Sequence, residues 1–140
     1  MQVFIVGSTL ETAIALDPKR LRKQIIECGQ ILDALNGNSA WSNHPCVLQY
    51  KAEIGWLRAY KVCLQAYING HYNEASKVSE YATRITPDWH TQEYYDQMKR
   101  RLYTKDPQHY AQWAEYGKSD CNWYFVDSVW RKYVNGKRIE

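Results

Sequence analysis

Glu27 is the residue of this chain best placed to do chemistry. It follows the run Asp17-Pro18-Lys19-Arg20-Leu21-Arg22-Lys23, in which four cations crowd the start of a helix. A cationic helix start suits phosphate groups, and a lone carboxylate just beyond it suits proton transfer beside them. Helical rotation puts Glu27 at the border of an apolar stripe, where partial desolvation favours the protonated acid. The plainer reading is a surface glutamate paired with Lys23 one turn earlier, worth a few tenths of a kcal/mol, roughly 0.2–0.5. Asn43-His44-Pro45 opens a further helix, where either polar residue can grip a phosphate or merely cap the helix end. Trp123-Tyr124, near the end of the chain, offers aromatic faces that stack on bases or fill a core.

The elements that must position these groups are mostly helical. Val3–Val6 is a short apolar run ended by Gly7-Ser8, which predicts an extended, buried N-terminal segment, and a short helical turn is expected over Thr9–Ala15. Asp17-Pro18 is an N-cap followed by proline at the first helical position. Leu21, Ile25, Cys28, Leu32 and Leu35 then form the apolar stripe, and Gly37 is the stop. Residues 36–43 read as a polar loop containing Trp41.

Pro45 begins a long helix running to Gly70, its stripe broken only by Lys61. A third helix runs from an N-cap at Asn73 to Ile85, with Ala75, Val78, Ala82 and Ile85 inward, and Thr86-Pro87 ends it. A fourth covers about Thr91 to Tyr103, with Tyr94, Met98 and Leu102 inward and Lys99, Arg100 and Arg101 outward. Asp106-Pro107 opens a short helix to Gly117. Beyond it Trp123–Val126 and Val129-Trp130 are β-prone, and Asn135-Gly136 is a hairpin-type turn, so the tail is either a short hairpin or an irregular strap. The expected fold is mainly α: one compact domain over residues 1–140, with an extended N-terminal segment and an aromatic C-terminal tail.

Composition narrows the function. With 140 residues and 45% hydrophobic content, the chain is long and apolar enough for a packed core. The net charge of +3 is small, but the cations cluster at residues 17–27 and again at Arg131, Lys132, Lys137 and Arg138. Such clustering suits a polyanion, and each cluster alone equally suits a solvated surface. The four cysteines form no C-x-x-C pair, so free buried thiols in a reducing compartment are expected. No secretion signal or 18-residue apolar run is present, which predicts a soluble cytoplasmic protein without membrane contact.

His44, His71, His90, His109 and Cys46 lack metal-ligand spacing, and no phosphate-binding glycine loop or nucleophile elbow occurs. Chemistry without a metal or cofactor is therefore expected. The chain's own α-amine is a nucleophile that needs no motif, since such amines titrate near ~7.7–8.0. An amine attacking a sugar C1′ can expel a base and leave a Schiff base, with a nearby carboxylate handling protons.

At Lys19-Arg20-Leu21 followed by Glu27, Asn43-His44-Pro45-Cys46, Tyr50…Trp56-Leu57 and Trp123-Tyr124, the chain resembles the pyrimidine-dimer DNA glycosylase/lyase family of phage and bacteria, the endonuclease V type. The first half of the chain carries most of the likeness. The resemblance implies a compact α fold whose N-terminal segment threads between helices. It also implies that Met1 supplies the nucleophilic amine and Glu27 the assisting carboxylate, on damaged or modified pyrimidines in double-stranded DNA. Arg20 takes the family's helix-1 phosphate role, and Trp123 and Tyr124 match its C-terminal aromatic DNA contact. Lys19, Lys23, Asn43, His44, Arg100, Arg101, Arg131 and Lys132 join them as expected DNA contacts. A monomer in the cytoplasm of a bacterium or a phage-infected host is expected.

Three departures bear on the substrate. Gln2 is bulky, so Met1 is expected to be retained. About four extra residues precede Arg20. Ile26 and Gln30 stand where the family has arginines. The competing readings are a non-catalytic nucleic-acid-binding protein of the same fold and a helical protein–protein adaptor whose aromatics anchor an interface.

Overall fold

The computed structural model describes residues 1–37 and 40–139. The chain is mainly helical, with a small antiparallel sheet near its C-terminal end. It divides into two compact units, Met1–Asp88 and Trp89–Glu140.

The first unit opens with an extended segment in which Val3, Ile5 and Val6 are buried. Helix α1 is Thr9–Ala15, closed at its start by a capping box between Ser8 and Glu11. Helix α2 is Pro18–Leu35, and the Asp17 carboxylate accepts from the Arg20 N–H, as an N-cap should. It ends at Gly37, whose φ of +81° is a left-handed conformation that favours glycine. Residues 36–37 and 40–43 are turns, and residues 38 and 39 of the expected polar loop lie outside the described residues.

The buried face of α2 is Leu21, Gln24, Cys28, Ile31 and Ala34. The expected stripe is thus rotated, with Ile25, Leu32 and Leu35 only half-buried. Apolar periodicity cannot register Gln24, whose burial is set by hydrogen bonds to the N-terminal segment.

The long second helix is a correction, because it breaks into α3, Pro45–Gln49, and α4, Ile54–Ile68. An unbroken helix would turn Trp56 about 120° away from Tyr50. The break buries both and stacks them at 5.5 Å, with Tyr60 continuing the stack 5.0 Å beyond Trp56. Helix α4 is the hub of the unit, packing against α1, α2 and α5 (Tyr72–Arg84). Lys61, the one break in its stripe, lies across α2 at Gly29, where an added Cβ would sit 3.3 Å from its Nζ. The N-cap position of helix α5 is His71 rather than the expected Asn73, without a side-chain cap bond, and the helix buries Ala75, Ser79 and Ala82. The Ser79 hydroxyl accepts from the Leu10 N–H and ties α5 to α1.

In the second unit, α6 (Gln92–Lys105) starts at the Thr91 cap and buries Tyr94, Gln97, Met98 and Leu102. The helix expected from Asp106-Pro107 begins later, as a 3-10 helix over Ala111–Lys118. The Asp106 carboxylate instead caps a turn through the His109 N–H. The tail is a hairpin, not a strap. Strands β1 (Cys121–Val126), β2 (Val129–Val134) and β3 (Lys137–Arg138) form an antiparallel sheet in that order. Asn135-Gly136 is the turn between β2 and β3, as expected, with positive φ at both residues. Asp127-Ser128 makes the β1–β2 turn in the same left-handed manner.

Candidate active site

The N-terminal segment lies along α2 and is held there by side chains. The Gln24 amide Nε2 donates to the Gln2 carbonyl at 2.9 Å, and its Oε1 accepts from the Phe4 N–H at 2.6 Å. The Tyr60 hydroxyl donates to the Phe4 carbonyl. The Thr12 hydroxyl accepts from the Val6 N–H at 3.1 Å. An extended chain with no strand partner thus has its backbone groups paired by polar side chains, as burial demands.

The segment ends at Glu27. Its Oε2 accepts from the Gln2 N–H at 2.6 Å and lies 4.0 Å from the Met1 amine. The Lys23 ammonium approaches the other oxygen at 3.8 Å from an exposed position one turn earlier. The Glu27 side chain is 13% exposed, so it is mostly but not fully enclosed. Glu27 is paired with Lys23, as the plainer reading has it, and the Met1 nitrogen also lies beside it.

Two thiols line the buried side. Burial pushes Cys46 up to about 11, opposed by the Val3 backbone N–H and the terminal amine. Cys28 is pushed above the usual thiol range by burial, with Cys46 and Glu27 adding to it. Both stay protonated at neutral pH and form an uncharged floor. The Met1 amine and the Lys23 ammonium are the two nitrogens that form ion pairs with the carboxylate.

Of the other expected contacts in this unit, Lys19 and Asn43 are exposed. Arg20 is half-buried, its guanidinium 3.2 Å from the Asp17 carboxylate that caps its own helix. His44 is the N-cap of α3, with Nδ1 accepting from the Cys46 N–H at 3.1 Å and its ring against Trp41. His44 therefore sets the position of Cys46.

In the second unit, the outward placement of Lys99, Arg100 and Arg101 is corrected, since all three are half-buried. Lys99 lies between the rings of Trp113 and Tyr116. Arg100 Nη2 bonds the Cys121 carbonyl at 2.7 Å and the Asn122 side chain, fastening α6 to β1. Arg101 lies 5.7 Å from the centre of the exposed Tyr124 ring. Trp123 and Lys132 are partners across the strands, and both reach Glu93, at 2.7 and 3.2 Å. These bonds hold the Glu93 carboxyl below its ordinary range. Arg131 pairs in register with Tyr124. Trp89, Glu93, Tyr94, Trp123 and Trp130 line an aromatic cavity of about 460 Å³.

Gln24, Thr12 and Tyr60 were not expected from the sequence. Gln24 left one signal, a polar residue one turn from both Leu21 and Cys28 on the buried face. Among the described residues, no three His, Cys, Asp or Glu side chains gather as metal ligands would, and no helix is long and apolar enough to cross a membrane.

The sequence model of the family described as pyrimidine dimer DNA glycosylase matches residues 1–77. The chain belongs to this family. No curated protein and no solved structure matches it. The family match covers the extended segment, helices α1 to α4 and the start of α5, so it includes Met1, Gln24 and Glu27 and stops before the aromatic hairpin.

Proposed function

We propose that the protein is a DNA glycosylase with β-lyase activity, acting on damaged or modified pyrimidines in double-stranded DNA. The Met1 amine is the Schiff-base nucleophile and Glu27 the assisting carboxylate. The observation that carries this reading is the Met1 amine 4.0 Å from a Glu27 oxygen that the Gln2 N–H already orients at 2.6 Å. Family membership supports the glycosylase class.

In the proposed reaction the neutral amine attacks C1′. The C1′–N bond to the base breaks, and the pyrimidine leaves with the electron pair and takes up a proton. Glu27 offsets the positive charge that develops on the sugar and accepts the amine proton as the ring opens to the iminium. Removal of a C2′ proton then expels the 3′ phosphate, and water releases the amine. Lys19, Lys23, Arg20, Asn43 and His44 are proposed as phosphate contacts in the first unit. Arg100, Arg101, Arg131, Lys132, Trp123 and Tyr124 are proposed as contacts in the second. The protein is proposed to work as a monomer in the cytoplasm of a bacterial or phage-infected cell.

The test is incubation of protein beginning at Met1 with duplex DNA carrying one abasic site, in the presence of sodium borohydride. A covalent adduct that disappears when the α-amine is blocked is the expected result. Glu27→Gln should retain an acceptor for the Gln2 N–H and DNA binding, yet lower adduct formation by about 10²–10⁴-fold. Clean, salt-sensitive duplex binding without any adduct would instead establish the non-catalytic binding protein.

A further inference from the structure

Gln24 is 2% exposed, and its two hydrogen bonds go to residues 2 and 4 of the extended segment. Those groups lie on one edge of the extended backbone, where a neighbouring strand would normally pair. A single side-chain amide replaces that strand because it carries a donor and an acceptor in one plane. Methionine supplies neither group, and glutamate supplies only the acceptor.

Gln24 and Glu27 are three residues apart and so stand on adjacent turns of α2. Fixing the Gln2 carbonyl on one turn aims the Gln2 N–H at Glu27 on the next, and the amine follows one residue earlier. The Tyr60 and Thr12 bonds lie further along the chain, at Phe4 and Val6. We propose that Gln24 is a positioning residue that holds the Met1 amine against Glu27. The proposal rests on Met1 being the nucleophile.

The experiment compares the full-length protein with Gln24→Met and with Ser79→Ala. The latter loses a partly buried hydrogen bond in the same unit, at Leu10, away from the N-terminal segment. Three quantities are measured: single-turnover adduct formation at saturating abasic duplex, duplex Kd, and the rate at which a water-soluble acylating reagent modifies the α-amine. Gln24→Met should lower the trapping rate at least tenfold with Kd within threefold, and should speed acylation. Ser79→Ala should leave all three within threefold. If Gln24→Met does not fold, Gln24→Glu, which retains the acceptor for Phe4, carries the same comparison. Trapping by the Gln24 variant at the wild-type rate overturns the proposal. If wild type forms no adduct, the reading of Met1 falls by itself, and acylation decides the placement of the amine. Equal acylation rates then overturn the role of Gln24, and faster acylation of the variant upholds it.

Discussion

One glycine added before Met1 tests the site most sharply. The nitrogen now 4.0 Å from Glu27 Oε2 becomes an amide and loses its nucleophilicity. The new amine stands one residue further out, about 3.8 Å away along the chain. The buried Met1 side chain leaves no slack behind it, and Gln2 is already bonded to Glu27 and Gln24, so the segment cannot slide by one residue without breaking both contacts. Misplacing a reacting group by roughly 1 Å can cost about a hundredfold, so the extension should slow adduct formation by about 10² or more. That corresponds to about 2.7 kcal/mol of lost transition-state stabilisation. Duplex affinity should remain within about threefold, because the exposed cations of α2 are untouched. The assay is single-turnover borohydride trapping with enzyme in excess, with intact mass confirming that the glycine is retained. Trapping at the wild-type rate by a fully extended protein would refute the assignment of the amine.

Two further outcomes follow from buried titratable groups. Burial pushes the His90 imidazole down to about 3 from 6.5. Between those values the unfolded chain binds a proton that the folded unit does not, so the stability contribution is complete above pH 6.5 and is lost as pH falls toward 3. At pH 5 the loss is about 2 kcal/mol. Denaturant unfolding at pH 7 and pH 5 should show it, and His90→Gln should reduce that pH dependence by about the same amount; an undiminished dependence in the variant would refute it. Cys46, pushed up to about 11, should be about a hundredfold poorer in thiolate at pH 8 than a thiol at its ordinary value of 9.0, before access is considered. Iodoacetamide followed by peptide mapping should modify half-buried Cys121 first and leave Cys28, Cys46 and Cys63 until the chain unfolds. Labelling of Cys46 alongside Cys121 would contradict the enclosed floor of the site.

What was legible in the sequence was local. Asp17-Pro18 marked the start of α2, Thr9–Ala15 bounded α1, and Asn135-Gly136 named its turn, because caps and turns depend on residues a few positions apart. The break between α3 and α4 was not legible, since no glycine or proline marks residues 50–53. The break goes with the packing of Tyr50 on Trp56, a contact between side chains that local sequence does not mark. Asp127-Ser128 was missed for the opposite reason: its residues tolerate positive φ without demanding it as glycine does.

The candidate site divides along the same line. Glu27 and Lys23 are one helical turn apart and could be paired on spacing alone. The approach of the Met1 amine spans 26 positions of sequence and depends on four side chains meeting an extended backbone. That pairing explains why Gln24, a residue that breaks the apolar pattern of α2, is buried at its centre. An unpaired backbone amide or carbonyl beneath the α2 surface would cost roughly 1–3 kcal/mol, and Gln24 satisfies one of each. The same bonds that make burial of the N-terminal segment tolerable also determine where its first nitrogen lies. In this unit, folding of the segment and placement of the amine are therefore one problem, and a polar residue on an otherwise apolar helix face solves both.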